Sequence, residues 1–365
     1  MTKQVLIFYN LTFNGIDNEI GDQLHQFYSK KDVLVTGGAS FIGSHLVETL
    51  IRLGAKVKII DDFTSGQIEN LKDIKNVTVN HGDLAERQTA FAEVEGHVVF
   101  HLAAVHGGRG FIETFKQDML VNFAIDNNVF SAAKKAGTSR IVHASSACAY
   151  PINLQSNEES RNLLSEDLAS MNSPETSFAD GVYGWTKLLG EYQLENFCDE
   201  KVTGRSARIF TAYGERENES HAAIALIAKA LLKPNVFPIW GNGEQTRNFT
   251  HVSDTVLGLL LLGCQQSDRD FDVFNIGTSA HIKVIDFVKE IFKQLNWEPK
   301  EFDLQLNRPT GVASRASDNS KMLAEFRWEP RLPIELGLAR TIMWYQDLPS
   351  RAQTWEELES MLNSR

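Results

Sequence analysis

The stretch Val33–Leu46 (VLVTGGASFIGSHL) constrains the fold of this chain more than any other. Val33–Val35 is a short apolar, β-branched run of the kind that forms a buried parallel strand. Gly37 and Gly38 follow directly after Thr36, and Ile42, Leu46, Val47 and Leu50 then recur on one helical face. A strand that turns through glycines into a helix aims backbone N–H groups, and the positive end of the helix, at an anion. The spacing is Gly37-x-x-Ser40-x-x-Gly43, a glycine-rich loop with serine in its middle place. From Lys31 to Arg208 strand and helix patterns alternate, which predicts an α/β fold with helices on both faces of a parallel sheet.

Alone, the loop is compatible with an ordinary strand-to-helix turn. Two features downstream point further. The apolar run Lys56–Ile60 ends in Asp61 and Asp62, about 20 residues beyond the loop, where an acidic side chain accepts ribose hydroxyls and repels a 2′-phosphate. The expected cofactor is therefore NAD rather than NADP. Val77–Leu84 reads as a third strand ending near Asp83, and Val98–Ala104 as a fourth ending in small residues that let a cofactor lie close. The expected cofactor contacts are Gly37, Ser40, Phe41, Ile42, Gly43, Asp61, Asp83, Leu84 and Ala103. Ser40 places a side chain where a pyrophosphate comes closest to the backbone.

A chain of 365 residues is long enough for one large or two closely joined domains. Its net charge of −11 speaks against nucleic acid or an acidic membrane surface as partner. Cys148, Cys198 and Cys264 show no pairing spacing, which fits a reducing compartment, and no Cys/His spacing suggests zinc. No apolar run reaches membrane-spanning length, and the first residues lack a basic start before an apolar core. The expected location is the cytoplasm.

Residues 1–30 are expected to form an N-terminal extension, with a strand at 5–9 and a helix at 19–28. Residues 31–210, joined by about 246–277, are assigned to the sheet domain, and 211–245 and 278–347 to a second, substrate-binding domain. Residues 348–365 form a tail, with a surface helix at Trp355–Leu362 started by the capping box Thr354/Glu357. Helices are predicted at Met119–Ala136, Tyr183–Phe197 and Ile282–Leu295, with a polar loop over 153–181. The strand Arg140–Ala144 runs into Ser145–Pro151, and polar residues past a strand's carboxyl end are where such sheets bind ligands.

Tyr183 and Lys187 stand four apart and share a helical face. An ammonium there, with the positive nicotinamide, is expected to lower the phenol pKa from near 10, so that a tyrosinate takes a hydroxyl proton as hydride leaves. A surface Tyr/Lys pair is the plainer reading, but Ser146 at a strand end can bond the same hydroxyl.

Thr36–His45, His101–Ala104, Ser145–Ser146, Tyr183-x-x-x-Lys187 and Gln245–Thr250 occur in one order. In these motifs, across roughly residues 31–347, the chain resembles the extended short-chain dehydrogenase/reductase family acting on nucleotide sugars. The resemblance implies a doubly wound Rossmann domain with a smaller interleaved α/β domain, and a Ser146/Tyr183/Lys187 triad. It also implies Asn122 beside the cofactor, Arg247 and Arg315 on a nucleotide-sugar diphosphate, and a homodimer joined through the helices at 119–136 and 183–197.

Ala104–Phe111, containing Gly107, Gly108 and Arg109, is similar to the GDP-mannose 3′,5′-epimerases, as are Ser145–Pro151 and Ser317–Asn319 after Arg315. That likeness implies a substrate site at Gly107, Gly108, Arg109 and Ser146, and Cys148 as an acid/base on the sugar. The lysine that works opposite it has no counterpart between Tyr213 and Ala228. Asn218–His221 is similar instead to the GDP-fucose synthases, which makes His221 the candidate second acid/base. Ala147-Cys148 stands where 4,6-dehydratases carry Asp-Glu. The implied activity is oxidation at C4, proton exchange at C3 or C5, and re-reduction. A 4-epimerase, which needs no exchange of carbon-bound protons, and a silent NAD-binding regulator are the alternatives.

Overall fold

The computed structural model describes residues 18–362 apart from 158, 160 and 172–177; the strand expected at 5–9 lies outside them. The chain begins with α1 (Asn18–Tyr28), β1 (Asp32–Thr36), α2 (Phe41–Arg52), β2 (Lys56–Asp61), β3 (Val77–His81) and α3 (Arg87–Glu93). There follow β4 (Val98–His101), α4 (Arg109–Thr114), α5 (Asn122–Ala136), β5 (Arg140–Ser146), α6 (Gly181–Phe197) and β6 (Thr203–Ile209). Next come β7 (Ala212–Tyr213), α7 (Ala222–Leu231), β8 (Val236–Trp240), β9 (Thr246–Arg247), β10 (Thr250–His251), α8 (Val252–Cys264) and β11 (Phe271–Ile276). The last elements are β12 (Ile282–Lys283), α9 (Val284–Leu295), β13 (Glu301–Gln305), α10 (Ser320–Phe326), α11 (Ile334–Gln346) and α12 (Trp355–Leu362).

Seven strands pair in the order β11-β6-β5-β4-β1-β2-β3, and every pairing is parallel. Such a sheet must be covered on both faces, and the side chains of β1 divide accordingly. Val33 and Val35 join one core with Leu46, Leu50, Phe100 and Leu260, while Leu34 joins another with Ile60, Val129, Ile141 and Leu194. The order reverses between β1 and β4, which opens a crevice at the carboxyl ends of the strands. A third core lies in the other half, where Ile227, Phe237, Phe287, Ile291, Leu338 and Ile342 pack together.

Several boundaries differ from the sequence reading. Helix α1 is packed into the sheet's own core: Leu24 and Tyr28 are buried, and the Tyr28 hydroxyl donates to the Leu260 carbonyl at 2.7 Å. The helix expected from Met119 opens as a 3-10 turn, Asp118–Val121, and becomes α-helical at Asn122. Ile282 and Lys283 pair with Arg247 and Thr246 as antiparallel strand, so α9 starts later than its apolar pattern suggests. The capping box forms, with Thr354 N–H donating to Glu357 Oε2 at 3.1 Å and Glu357 N–H to Thr354 Oγ1 at 3.2 Å. Yet α12 is more than a surface element, since Leu358 is buried in the third core. Among the described residues no helix is long and apolar enough to cross a membrane.

Candidate active site

The glycine-rich turn lies against the end of β4. Gly37 has φ +67, and a Cβ there would come within 2.9 Å of the Ala103 nitrogen. Ser40 caps α2: its hydroxyl accepts from Gly43 N–H at 3.2 Å and donates to the Gly37 carbonyl at 2.6 Å. The serine in the glycine place is thus folded onto its own loop, which leaves the helix N-terminus open to a diphosphate. Asp61 accepts from the backbone N–H groups of Ala39 and Phe63, each at 2.9 Å. Burial raises its carboxyl above the usual range, against those two bonds.

Gly37, Ser40, Asp61, Asp83, Leu84 and Ala103 line a small cavity of about 40 Å³. Ser40, Phe41, Ile42, Ser146, Tyr183, Lys187 and His221 line an adjoining one of about 280 Å³. Together they offer an acidic residue at one end and the Tyr/Lys pair at the other, which fits an extended dinucleotide. Two expected contacts line neither cavity. Gly43 serves the Ser40 cap, and Asn122 clamps Val105, accepting from its N–H at 2.7 Å and donating to its carbonyl at 2.9 Å. Asn122 therefore shapes the segment after β4.

Helix α6 brings Tyr183 and Lys187 to the end of β5 because Gly184 permits it: a Cβ there would stand 2.1 Å from the Cys148 carbonyl oxygen. Beneath, buried Arg208 on β6 grips Glu191 of α6, with Nε–Oε1 at 2.9 Å and Nη2–Oε2 at 2.7 Å, and Glu191 also accepts from Ser145. The Ser146 hydroxyl accepts from Cys148 N–H at 3.1 Å and is bonded to the Tyr183 phenol. Buried Lys187 donates from Nζ to the Ala144 carbonyl at 2.8 Å and lies 5.8 Å from the centre of the Tyr183 ring.

The lowered phenol pKa expected from the sequence does not come from the chain's own groups. Burial pushes Tyr183 up, Cys148 adds to that, and only the Ser146 bond pulls it down. Burial also lowers Lys187, against the nearby Asp126. The physical reason is desolvation of the phenolate in a closed site, with the ammonium aimed at a carbonyl.

A third cavity, about 250 Å³, is lined by Gly107, Gly108, Arg109, Cys148, His221, Arg247 and Arg315. Ser146 belongs to the cavity beside it. Arg315 donates from Nη1 to Cys148 Sγ at 3.5 Å, from Nη2 to Asp180 Oδ2 at 3.0 Å and from Nε to Gln155 Oε1 at 2.5 Å. Arg109 Nη1 reaches Asp180 Oδ1 at 2.9 Å. Burial opposes the Asp180 charge, but the two guanidiniums hold it below the usual carboxylate range. Arg247 donates to the carbonyls of Thr246, at 2.7 Å, and Thr310, at 2.6 Å, and to no carboxylate among the described residues. Burial, then Arg315 and Arg109, lowers it to about 9. Two guanidiniums thus converge on one buried aspartate, and a third, Arg247, lines the same cavity without a carboxylate partner among the described residues, an arrangement suited to an added dianion.

His221 precedes α7 as its N-cap. Its ring stacks on His106 at 6.0 Å and 13°, and Nδ1 lies 3.5 Å from Glu217 Oε1. Burial lowers its pKa to about 4, against a bond to the Gly107 backbone. Gly108 lets the two segments meet, since a Cβ there would fall 1.8 Å from the Ser220 carbonyl oxygen. Sequence reasoning missed Asp180 and Glu217. Asp180 is a single acidic residue in a polar loop and Glu217 the middle one of three alternating glutamates, and only burial distinguishes them from solvated ones.

A model of the NAD dependent epimerase/dehydratase family matches residues 33–277. The chain is 27% identical over 328 residues to the UDP-N-acetyl-alpha-D-glucosaminuronate decarboxylase of Bacillus cytotoxicus, covering 87% of this chain and 99% of that protein. It is 29% identical over 334 residues to GDP-mannose 3,5-epimerase 1 of Oryza sativa subsp. japonica, covering 89% of this chain and 84% of that one. Among solved structures, MoeE5 in complex with UDP-glucuronic acid and NAD superposes with a TM-score of 0.73 at 30% identity, over 86% of this chain and 99% of that chain.

Proposed function

The chain belongs to the NAD dependent epimerase/dehydratase family, and on that premise we propose that it is a nucleotide-sugar 3,5-epimerase, with GDP-mannose as the substrate to test first. The observation that carries this reading is that Cys148 and His221, from distant parts of the chain, line one cavity with Arg109, Arg247 and Arg315. His221 also lines the cavity of Ser146, Tyr183 and Lys187, so proton exchange and oxidation would occur at one sugar.

NAD supplies the acceptor, and later the donor, of the C4 hydride. Tyr183, bonded to Ser146, takes the C4 hydroxyl proton, and Lys187 supplies charge beside it. The resulting ketone acidifies the C3 and C5 protons, because each carbanion becomes an enolate. Cys148 draws such a proton and His221 returns one, while the three arginines hold the diphosphate.

Turnover of GDP-mannose in D₂O, read by product NMR, tests the reading. We expect deuterium at C3, C5 or both. Cys148→Ala should abolish the exchange while bound sugar still reduces NAD. A converted product without deuterium would make the protein a 4-epimerase, the activity named for a relative from Mycolicibacterium smegmatis that is 27% identical. The proposed assembly is a homodimer through α5 and α6, supported by the exposed Leu120 in the turn that opens α5 and Trp185 and Tyr192 on α6; a monomer by light scattering at micromolar concentration would rule it out.

A further inference from the structure

The acid assigned to His221 poses a chemical difficulty. A partly buried imidazole at the N-terminus of a helix, as His221 is, is neutral at physiological pH, because desolvation and the positive helix end both disfavour imidazolium. A neutral imidazole that gives up its one proton becomes imidazolate, and among the described residues the His221 ring is paired with a carboxyl, not with a cation. His221 therefore needs a second proton delivered as the first one leaves.

Glu217 stands where that proton would come from. Its side chain is 4% exposed, and Oε1 lies 3.5 Å from His221 Nδ1. Glu217 Oε2 and His221 Nδ1 both lack a hydrogen-bond partner. Other buried carboxylates of the site have cations: Asp180 has Arg109 and Arg315, and Glu191 has Arg208. Among the described residues Glu217 has none, and burial alone drives its carboxyl well above the ordinary range. A buried carboxyl without a cation keeps its proton. The ring also bonds the Gly107 backbone. Since Nδ1 makes no hydrogen bond, that contact belongs to Nε2–H, which leaves a lone pair on Nδ1 facing Glu217.

We propose that Glu217 is the positioning and proton-holding partner of His221, and that the two side chains work as one neutral acid. The inference rests on the epimerase reading above. With sugar bound, the Nε2–H gives up its bond to the Gly107 backbone for the enolate carbon; when the enolate is reprotonated, its electron pair forms the new C–H bond with that proton and the N–H bond electrons stay on the ring. In the same step the Glu217 O–H proton moves to Nδ1. His221 ends neutral as the other tautomer and Glu217 ends as carboxylate, which water reprotonates after product leaves. The remaining titratable groups around these cavities are His106, Arg109, Cys148, Asp180, Tyr183, Lys187, Arg216, Lys229, Arg247 and Arg315. The Coulombic influences on the Glu217 carboxyl include none of them.

Two measurements test the pair. In ¹⁵N-histidine-labelled protein with NAD, the His221 Nδ1 resonance should move as Glu217 ionises above neutral pH, and Glu217→Ala should abolish that movement. An Nδ1 shift and pH response identical in the two proteins would overturn the proposal. Glu217→Gln, nearly isosteric, guards against a folding defect in the alanine variant. It should cut deuterium incorporation from D₂O into GDP-mannose by about 100-fold, the scale of one general acid, with NAD reduction by the sugar unchanged. Glu217→Asp should restore part of it. Wild-type exchange in Glu217→Gln would also refute the pairing. If the wild-type protein exchanges no proton, the epimerase reading fails, and the nitrogen spectrum still decides whether the pair exists.

Discussion

The two walls of the cleft are built differently. Ser146, Tyr183 and Lys187 stand on long regular elements, the seven-residue β5 and the 17-residue α6, locked together from below by Arg208 and Glu191. Across the cleft Arg247 sits on the two-residue β9, His221 on a helix cap and Arg315 in a loop. The oxidation step is common to many sugars and needs sub-ångström placement, which rigid elements supply. Contacts that choose a sugar or a base sit on segments that tolerate change.

The strongest blow to the rigid wall is Arg208→Ala. It leaves Glu191 buried without its cation and should cost about 3–5 kcal/mol of stability by denaturant unfolding. Removing a charge from the other wall, in Arg247→Ala, should instead raise KM by roughly 10-fold or more and leave the unfolding midpoint nearly unchanged. Equal stability losses would end the distinction.

Tyr183→Phe comes next. It should retain fold and NAD content but lose turnover by about 100-fold or more. Near-normal turnover would remove Tyr183 from the chemistry.

The same substitution can be made on both walls. In Gly184→Ala the new Cβ meets the Cys148 carbonyl oxygen at 2.1 Å between two locked elements, and should cost about 1–3 kcal/mol. In Gly108→Ala the contact is closer, 1.8 Å to Ser220, but both partners lie in loops. That variant should shift KM more than stability. The opposite ranking would mean that the loop wall is the stiffer one.

Acid should also act unequally. Burial lowers His143, behind the rigid wall, and His45, on α2 against the Glu215 carbonyl, to about 3. Their unfolded values lie near 6.5, so the unfolded chain binds protons first, and stability is lost as pH falls from about 6.5 toward 3. Each histidine contributes at most about 2 kcal/mol of that loss by pH 5. Melting temperatures of wild type and His143→Gln across this window check it: the variant should decline less steeply. Smallest of all, Thr354→Ala should cost about 1 kcal/mol or less at any pH, since it removes only the cap of α12.

The sequence made the rigid wall legible. β1, the glycine turn and α2 follow from apolar runs and glycine placement, and the Tyr/Lys spacing puts both residues on one face of α6. Less was legible wherever a side chain's meaning depends on a distant neighbour. Ser40 reads as an obstruction until its hydroxyl is seen capping α2. That the Asn122 amide is bonded to Val105 is likewise not readable from its place in the sequence. The phenol of Tyr183 reads as acidified until desolvation is weighed. Asp180 and Glu217 look alike in sequence, yet one is ionised between arginines and the other buried without a cation. β13 alternates polar and apolar residues over only five positions, too short a run to read as a strand before its pairing with the distant β8 is seen.

The return of β11 to the main sheet has a consequence for how the protein is made. Residues 271–276 pair with 204–209, after the chain has passed through α7, β8 and β9. On a ribosome, β6 therefore emerges long before its outer neighbour, with one edge of N–H and C=O groups unpaired. The sheet cannot close until α8 and β11 have left the exit tunnel, so its final assembly waits on sequence that first builds another part of the molecule. Nascent chains halted before residue 271 should be protease-sensitive and prone to self-association, and those halted well past residue 276 should become resistant.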